Sequence, residues 1–222
     1  MTGFDAGGRT PRGWIDATRA LPDGHPVWPG DAPFAVRPTA RIPNGSSVNL
    51  MRFEGTTHLG THVDAPFHVR ESGARIESIP LETLIGPGLV IDVAGARGPV
   101  APEELPDGPY PTRVALRTGE PDAWTSFPTE IRPIDPATVR HLAAAGVRLL
   151  ATDAPSVDPL HDADLPAHHA CCEEGVVIVE GLALQAVPAG PCTFVCLPLR
   201  LIGTDAAPAR VVIAPAGDPV RP

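Results

Sequence analysis

An aspartate and three of the chain's eight histidines fall within eleven residues, in the run His58-Leu-Gly-Thr-His62-Val-Asp64-Ala-Pro-Phe-His68. Imidazole nitrogen and carboxylate oxygen are the donors that first-row divalent metals favour, and each must come within about 2.0–2.2 Å of a zinc ion. In an extended strand, at about 3.3 Å per residue, His58 and His62 would stand roughly 13 Å apart. The chain must therefore curl between them, and Gly60 permits this because it tolerates a positive φ. His62 and Asp64 are two positions apart, and Pro66 prevents a helix from continuing, so an extended segment aims both side chains at one point. Structural zinc sites are closed by four ligands rich in cysteine, whereas this run has none; nitrogen and oxygen donors with an open position suit catalysis. His68 falls further along the wall of such a site and is assigned to proton transfer rather than to ligation.

The second half offers two further donors. His168 lies on a short helix expected over Pro166 to Glu174, where His169 competes with it. Glu180 ends an apolar strand just before Gly181, where Glu173 and Glu174 are the alternatives. Glu180 stands out because a carboxylate in that position would be partly buried and would need a cation or a donor.

These residues must be positioned by short elements, since 29 prolines are spread along the chain and fix many turns. Apolar, largely β-branched runs bounded by Gly and Pro predict strands at Trp14 to Ala20, Val48 to Phe53, Leu89 to Val93, Arg113 to Arg117, Val147 to Thr152, Val176 to Val179, Thr193 to Leu199 and Arg210 to Ala214. The clearest helix is Pro136 to Ala145, with Asp135 as N-cap, Pro136 at its first position and Gly146 beyond its end. Strands outnumber helices and alternate with them only in the second half, which predicts a mixed α/β domain rather than a doubly wound parallel sheet.

Composition narrows the chemistry. All seventeen basic residues are arginine, so a Schiff-base lysine, a lysine general base and a P-loop lysine are excluded together. There is no GxSxG elbow and no GxGxxG loop. The net charge of −9, with basic residues scattered singly, does not build the positive stripe that nucleic acid requires. No apolar run approaches the roughly 20 residues of a membrane span, and the N-terminus lacks the basic and apolar regions of a secretory signal. Cys171, Cys172, Cys192 and Cys196 contain no CxxC pair and read as free thiols, which favours the cytoplasm. Residues 1–222 are expected to form one domain, with 1–13 loosely ordered.

The run from His58 to His68 resembles the HxGTHxDxPxH signature of the cyclase-like metal hydrolases, and within them the bacterial kynurenine formamidases. Further segments agree: Pro26-Val-Trp28-Pro-Gly-Asp31, Thr152-Asp-Ala-Pro-Ser-Val-Asp158, Leu165-Pro-Ala-His168, Ile178-Val-Glu180-Gly-Leu182, and Leu197-Pro-Leu-Arg-Leu-Ile-Gly-Thr-Asp-Ala-Ala-Pro208. The segment Pro159-Leu-His-Asp-Ala-Asp164 departs by carrying an acidic pair. The resemblance implies a β-rich α/β fold of the swivelling β/β/α type with a mixed sheet and few short helices, a homodimer or homotetramer, and two divalent ions, usually zinc, with manganese as the alternative. His58, His62 and Asp64 would hold one ion, His168 and Glu180 the other, and Asp64 and Glu180 would bridge. It also implies His68 as general acid/base and Trp28 as an aromatic wall of the substrate pocket, while Trp14 and Trp124 are left to packing. The implied reaction is hydrolysis of N-formyl-L-kynurenine to L-kynurenine and formate. A same-fold hydrolase or cyclase acting on another substrate, such as the cyclic amide isatin, and a non-catalytic metal-stabilised module are the competing expectations.

Overall fold

A computed structural model describes residues 13–216. After a short strand β1 (Ile15–Asp16), the chain makes a separate two-stranded ribbon from β2 (Ala35–Ala40) and β3 (Leu50–Glu54). It then runs through β4 (His62–Asp64), a single-turn helix α1 (Leu81–Leu84), β5 (Ile85–Asp92) and β6 (Arg113–Arg117). There follow α2 (Pro136–Ala144), β7 (Leu149–Thr152), α3 (Pro166–Glu174), β8 (Val177–Glu180), β9 (Gly190–Pro198) and β10 (Ala206–Pro215). Strands β5 to β8 lie parallel in sequence order; α2 and α3 supply the crossovers from β6 to β7 and from β7 to β8, while residues 93–112 join β5 to β6 without an α-helix. The remaining pairings are antiparallel, and the sheet closes on itself because β10 pairs with β4 through 206–208 and with β9 through 209–215. Seven strands thus form a barrel in the order β10-β4-β8-β7-β6-β5-β9, with β1 added alongside β10.

Side chains alternate across a strand, so the closed sheet makes two cores. Val63, Ala115, Leu149, Ala151, Val179, Phe194 and Ile213 fill the barrel. Val114, Leu116, Leu150 and Ile178 point outward and pack with Val139 and Leu142 of α2 and with Ala167, Ala170 and Cys171 of α3. Strands covered on both faces read as continuous apolar runs. Each fully buried side chain of the size of Leu142 contributes about 1.5–3 kcal/mol.

The mixed α/β architecture with few short helices is as expected from sequence. Helix α2 starts where predicted, with the Asp135 carboxylate accepting from Ala137 N at 2.8 Å, and ends one residue early. Two expectations need correction. The first predicted strand shrinks to Ile15–Asp16, after which backbone bonding passes to single contacts such as Ala17 N to Val211 O at 3.0 Å. Strand β2 was not anticipated, because it carries Pro38 and no apolar alternation, and β3 is exposed along its whole length. Among the described residues no helix is long and apolar enough to cross a membrane. The expectation of loose order over 1–13 falls, apart from Gly13, outside the described residues.

A candidate metal centre

The turn at Gly60 forms as its sequence requires, with φ +59. Its carbonyl receives the Nδ1–H of His62 at 3.0 Å. Thr61 ties the turn down, its hydroxyl donating to Gly181 O at 2.6 Å and accepting from Arg19 N at 2.8 Å. Gly181, at φ +67, packs so closely that a Cβ there would lie 2.3 Å from Gly60 O. Strand β4 then sets His62 directly opposite Glu180 on β8. Val63 and Val179 point into the barrel, so His62, Asp64 and Glu180 share its outer face beneath α3, which brings His168 over them.

Three imidazoles converge on the Asp64 carboxylate. Its Oδ1 lies 3.0 Å from His58 Nδ1 and 3.3 Å from His62 Nε2, and its Oδ2 lies 3.4 Å from His168 Nε2. Glu180 stands 3.4 Å from both His62 Nε2 and His168 Nε2. Each imidazole is anchored at its other nitrogen: His62 Nδ1 on Gly60 O, His168 Nδ1 on Asp158 Oδ2 at 2.7 Å, and His58 Nε2 on Asp205 Oδ2 at 2.9 Å. An acceptor at one ring nitrogen holds the proton there and leaves the other as a lone pair, the tautomer a metal ligand needs. His62 Nε2 and both oxygens of Asp64 are buried without a hydrogen-bond partner. Two ligands at about 2.1 Å from a tetrahedral centre are themselves roughly 3.4 Å apart, which the separations around Asp64 and Glu180 match. The donor set fits a divalent cation.

The electrostatics agree. Burial opposes charge on His58 and His168, but Asp64 and Asp205 outweigh it for the first and push its pKa up to about 11, while Asp158, Asp64 and Glu180 push the second up to about 10. Burial likewise opposes ionisation of Asp64, yet the surrounding histidines hold its carboxyl well below the usual range. The cluster thus attracts positive charge, for which protons and a metal ion compete. His68 differs: burial, aided by His58 and His168, pulls its pKa down, so the ring is neutral at pH 7. Its ring centroid is 4.2 Å from that of His58 and 5.5 Å from that of His168. It also comes close enough to His58 and Asp64 to share an ion with them.

Above the cluster opens a cleft of about 480 Å³. Trp28 forms one wall, edge-on to Phe127 at 5.4 Å, and Phe127 in turn meets Trp124 at 5.9 Å. Trp124, expected only to pack, does pack but also lines the cleft. The guanidinium of Arg19 lies 3.7 Å from its ring centroid. Buried Arg19 also donates to the carbonyls of Asp153, Gly181 and Leu182 at 3.1–3.2 Å, linking the aromatic wall to the turn that carries Glu180. Of the rival donors, His169, Glu173 and Glu174 are exposed on the far side of α3, and Glu173 faces Arg140.

Sequence reading missed Asp158 and Asp205. Asp205 is a lone carboxylate 147 positions from its partner His58, whereas Asp158 stands only 10 positions from its partner His168, on the loop that leads into α3. Asp158 also caps α3, accepting from Ala167 N at 2.7 Å and His168 N at 2.9 Å, because the helix begins at Leu165 in a left-handed conformation with no cap of its own.

Comparison with known proteins follows the same lines. A family model described as putative cyclase matches residues 15–159. The kynurenine formamidase of Salinibacter ruber is 44% identical over 212 residues, covering 92% of this chain and 99% of that protein. The kynurenine formamidase of Geobacillus thermodenitrificans is 39% identical over 206 residues, covering 92% and 98%. A solved structure described as a potential metal-dependent hydrolase with cyclase activity superposes with a TM-score of 0.75 at 31% identity, over 90% of this chain and 96% of that one.

Proposed function

The chain belongs to the putative cyclase family, and we propose that it hydrolyses N-formyl-L-kynurenine to L-kynurenine and formate, as a metal-dependent amide hydrolase. The observation that carries the reading is the orphaned Asp64 carboxylate, ringed by three tautomer-fixed imidazoles at the floor of an aromatic-walled cleft. The likeness in sequence to kynurenine formamidases over nearly the whole chain supports the substrate.

In this reading His58, His62 and Asp64 would hold one divalent ion and His168 and Glu180 a second, with Asp64 and Glu180 available to both. Two zinc ions per subunit is the proposed complement, with manganese able to replace them because the donors are nitrogen and oxygen. A divalent ion there supplies Lewis acidity and lowers the pKa of a bound water towards about 7. The residues do the rest. Trp28 and Phe127 offer the aryl ring an edge and a face, which places the formyl group over the histidines. His68, neutral and beside the cluster, takes a proton from the attacking water and returns it to the aniline nitrogen as the carbon–nitrogen bond breaks. Water contributes oxygen to formate and hydrogen to the amine, so no other co-reactant is consumed.

We further propose that the protein is a cytoplasmic homodimer. Leu50, Met51 and Phe53 are 52%, 49% and 66% exposed on the β2–β3 ribbon. An isolated two-stranded ribbon is marginal in water, and an apolar one is a contact surface. Light scattering checks the mass; a monomer at micromolar concentration contradicts the dimer.

The test of function is incubation of purified protein with N-formyl-L-kynurenine, with and without chelator, following kynurenine absorbance. Turnover that chelator stops and zinc or manganese restores is the expected result. No turnover at full metal loading removes the formamidase reading.

A further inference from the structure

We propose that Asp205 is a positioning residue acting on two imidazoles of the site at once. It orients His58 towards the metal cluster and His68 towards the substrate. The Oδ2 atom lies 2.9 Å from His58 Nε2 and 3.5 Å from His68 Nδ1. The first contact is a hydrogen bond that receives the Nε2–H of His58 and so turns its Nδ1 to Asp64. The second is an electrostatic contact rather than a hydrogen bond: it places the same oxygen beside Nδ1 of His68 and favours the proton on that nitrogen, which leaves Nε2 for proton transfer. One carboxylate therefore ties the orientation of a candidate ligand to that of the acid/base group, whose ring lies 4.2 Å from it, centroid to centroid.

The carboxylate is itself held in place without help from either histidine. Its Oδ1 accepts from Thr57 Oγ1 at 2.9 Å. Its backbone carbonyl accepts from Ala65 N at 2.8 Å, and the next residue, Ala206, pairs with Asp64 at the start of β10. The preceding turn is fastened by Glu77, whose oxygens accept from Gly203 N at 3.1 Å, and by Thr204 O, which accepts from Ile76 N at 3.2 Å. A carboxylate fixed by the barrel frame and aimed at two imidazoles is built to orient them, whereas a surface carboxylate meeting a histidine by chance would lack this support. Outer carboxylates of this kind fix ring orientation, and their loss typically lowers metal affinity or activity 10–100-fold.

Asp205→Asn is the variant that tests this, since it keeps the shape and Asp205 is a third exposed. Its amide can present an acceptor to Thr57 or to the histidines, and a donor on the other side. Zinc retention is measured against a chromophoric chelator with no substrate present, and kcat and KM for N-formyl-L-kynurenine are then measured at full zinc loading. The expected result is zinc affinity lowered about 10–100-fold, and, with zinc restored, kcat lowered about tenfold or more with KM unchanged. Thr57→Val, which frees the carboxylate to swing, should move both readouts in the same direction by less. A purely structural role would lower the melting temperature in excess chelator and leave fully loaded kcat alone, which overturns the proposal. So does unchanged zinc retention. The kinetic arm rests on the proposed function: if the wild-type protein leaves N-formyl-L-kynurenine untouched, that reading falls, while zinc retention still sustains or overturns the role of Asp205.

Discussion

Asp158 is 1% exposed and accepts three hydrogen bonds: from Ala167 N on Oδ1, and from both His168 N and His168 Nδ1 on Oδ2. Asp158→Asn preserves its volume but gives it one acceptor and one donor edge. If the amide oxygen faces His168, the amide NH₂ confronts the Ala167 N–H and the helix loses a cap. If it is turned round, NH₂ confronts the His168 N–H and drives the ring proton from Nδ1 to Nε2, the nitrogen that faces Asp64 and Glu180. Leaving one buried donor unpaired costs about 1–3 kcal/mol. At roughly 2–4 °C per kcal/mol for a chain of this size, the melting temperature should fall by about 2–12 °C. Unfolding should be followed in excess chelator, because bound metal spoils a two-state reading. In the second orientation His168 is lost as a ligand, and metal affinity should also fall about 10–100-fold, equivalent to roughly 1.4–2.8 kcal/mol. Thermal unfolding with chelator and competitive zinc titration separate the two effects. An unchanged melting temperature together with unchanged zinc affinity would refute the claim that Asp158 sets both the helix and the tautomer.

His68→Ala should lower kcat by about 10²–10⁴-fold with metal content by elemental analysis unchanged; loss of metal would instead make His68 a ligand. Trp28→Ala should raise KM about 2–13-fold, the equivalent of an aromatic contact of about 0.5–1.5 kcal/mol, and a KM at the wild-type value would place the aryl ring elsewhere. Gly181→Ala forces a Cβ to 2.3 Å from Gly60 O at a φ of +67, so the protein should both melt lower and retain less zinc, since Glu180 and His62 flank the two glycines; normal zinc retention contradicts this. Cys171, Cys192 and Cys196 are buried, and burial pushes the Cys192 thiol up to about 11. A thiol reagent should therefore label Cys172 alone in the native protein and all four on unfolding, and native labelling of Cys196 would contradict the barrel core.

What the sequence made legible was local, and what it hid depended on distant pairing. The turn at Gly60 and the shared face of His62 and Asp64 follow from φ freedom and strand alternation within seven residues, and both are present. The choice between His168 and His169, left open by the residues alone, is settled by the helix's packing: Ala167, Ala170 and Cys171 form the i, i+3, i+4 stripe that packs on the sheet, with His168 at its edge, while His169 and Glu173 share the solvent face one turn apart. By contrast, no local rule joins Asp205 to His58. Their contact exists because the long strand β10 spends its first residues on β4 and the rest on β9, which closes the barrel and delivers the residue before Ala206 to the mouth of the Gly60 turn. A strand that changes partner along its length has no signature of its own in a period-2 pattern, since both partners bury the same alternating face. Asp205 was therefore invisible for the same reason that the closed barrel was, whereas Asp158, only 10 residues from His168, was hidden by the left-handed Leu165 that opens α3 without a cap of its own.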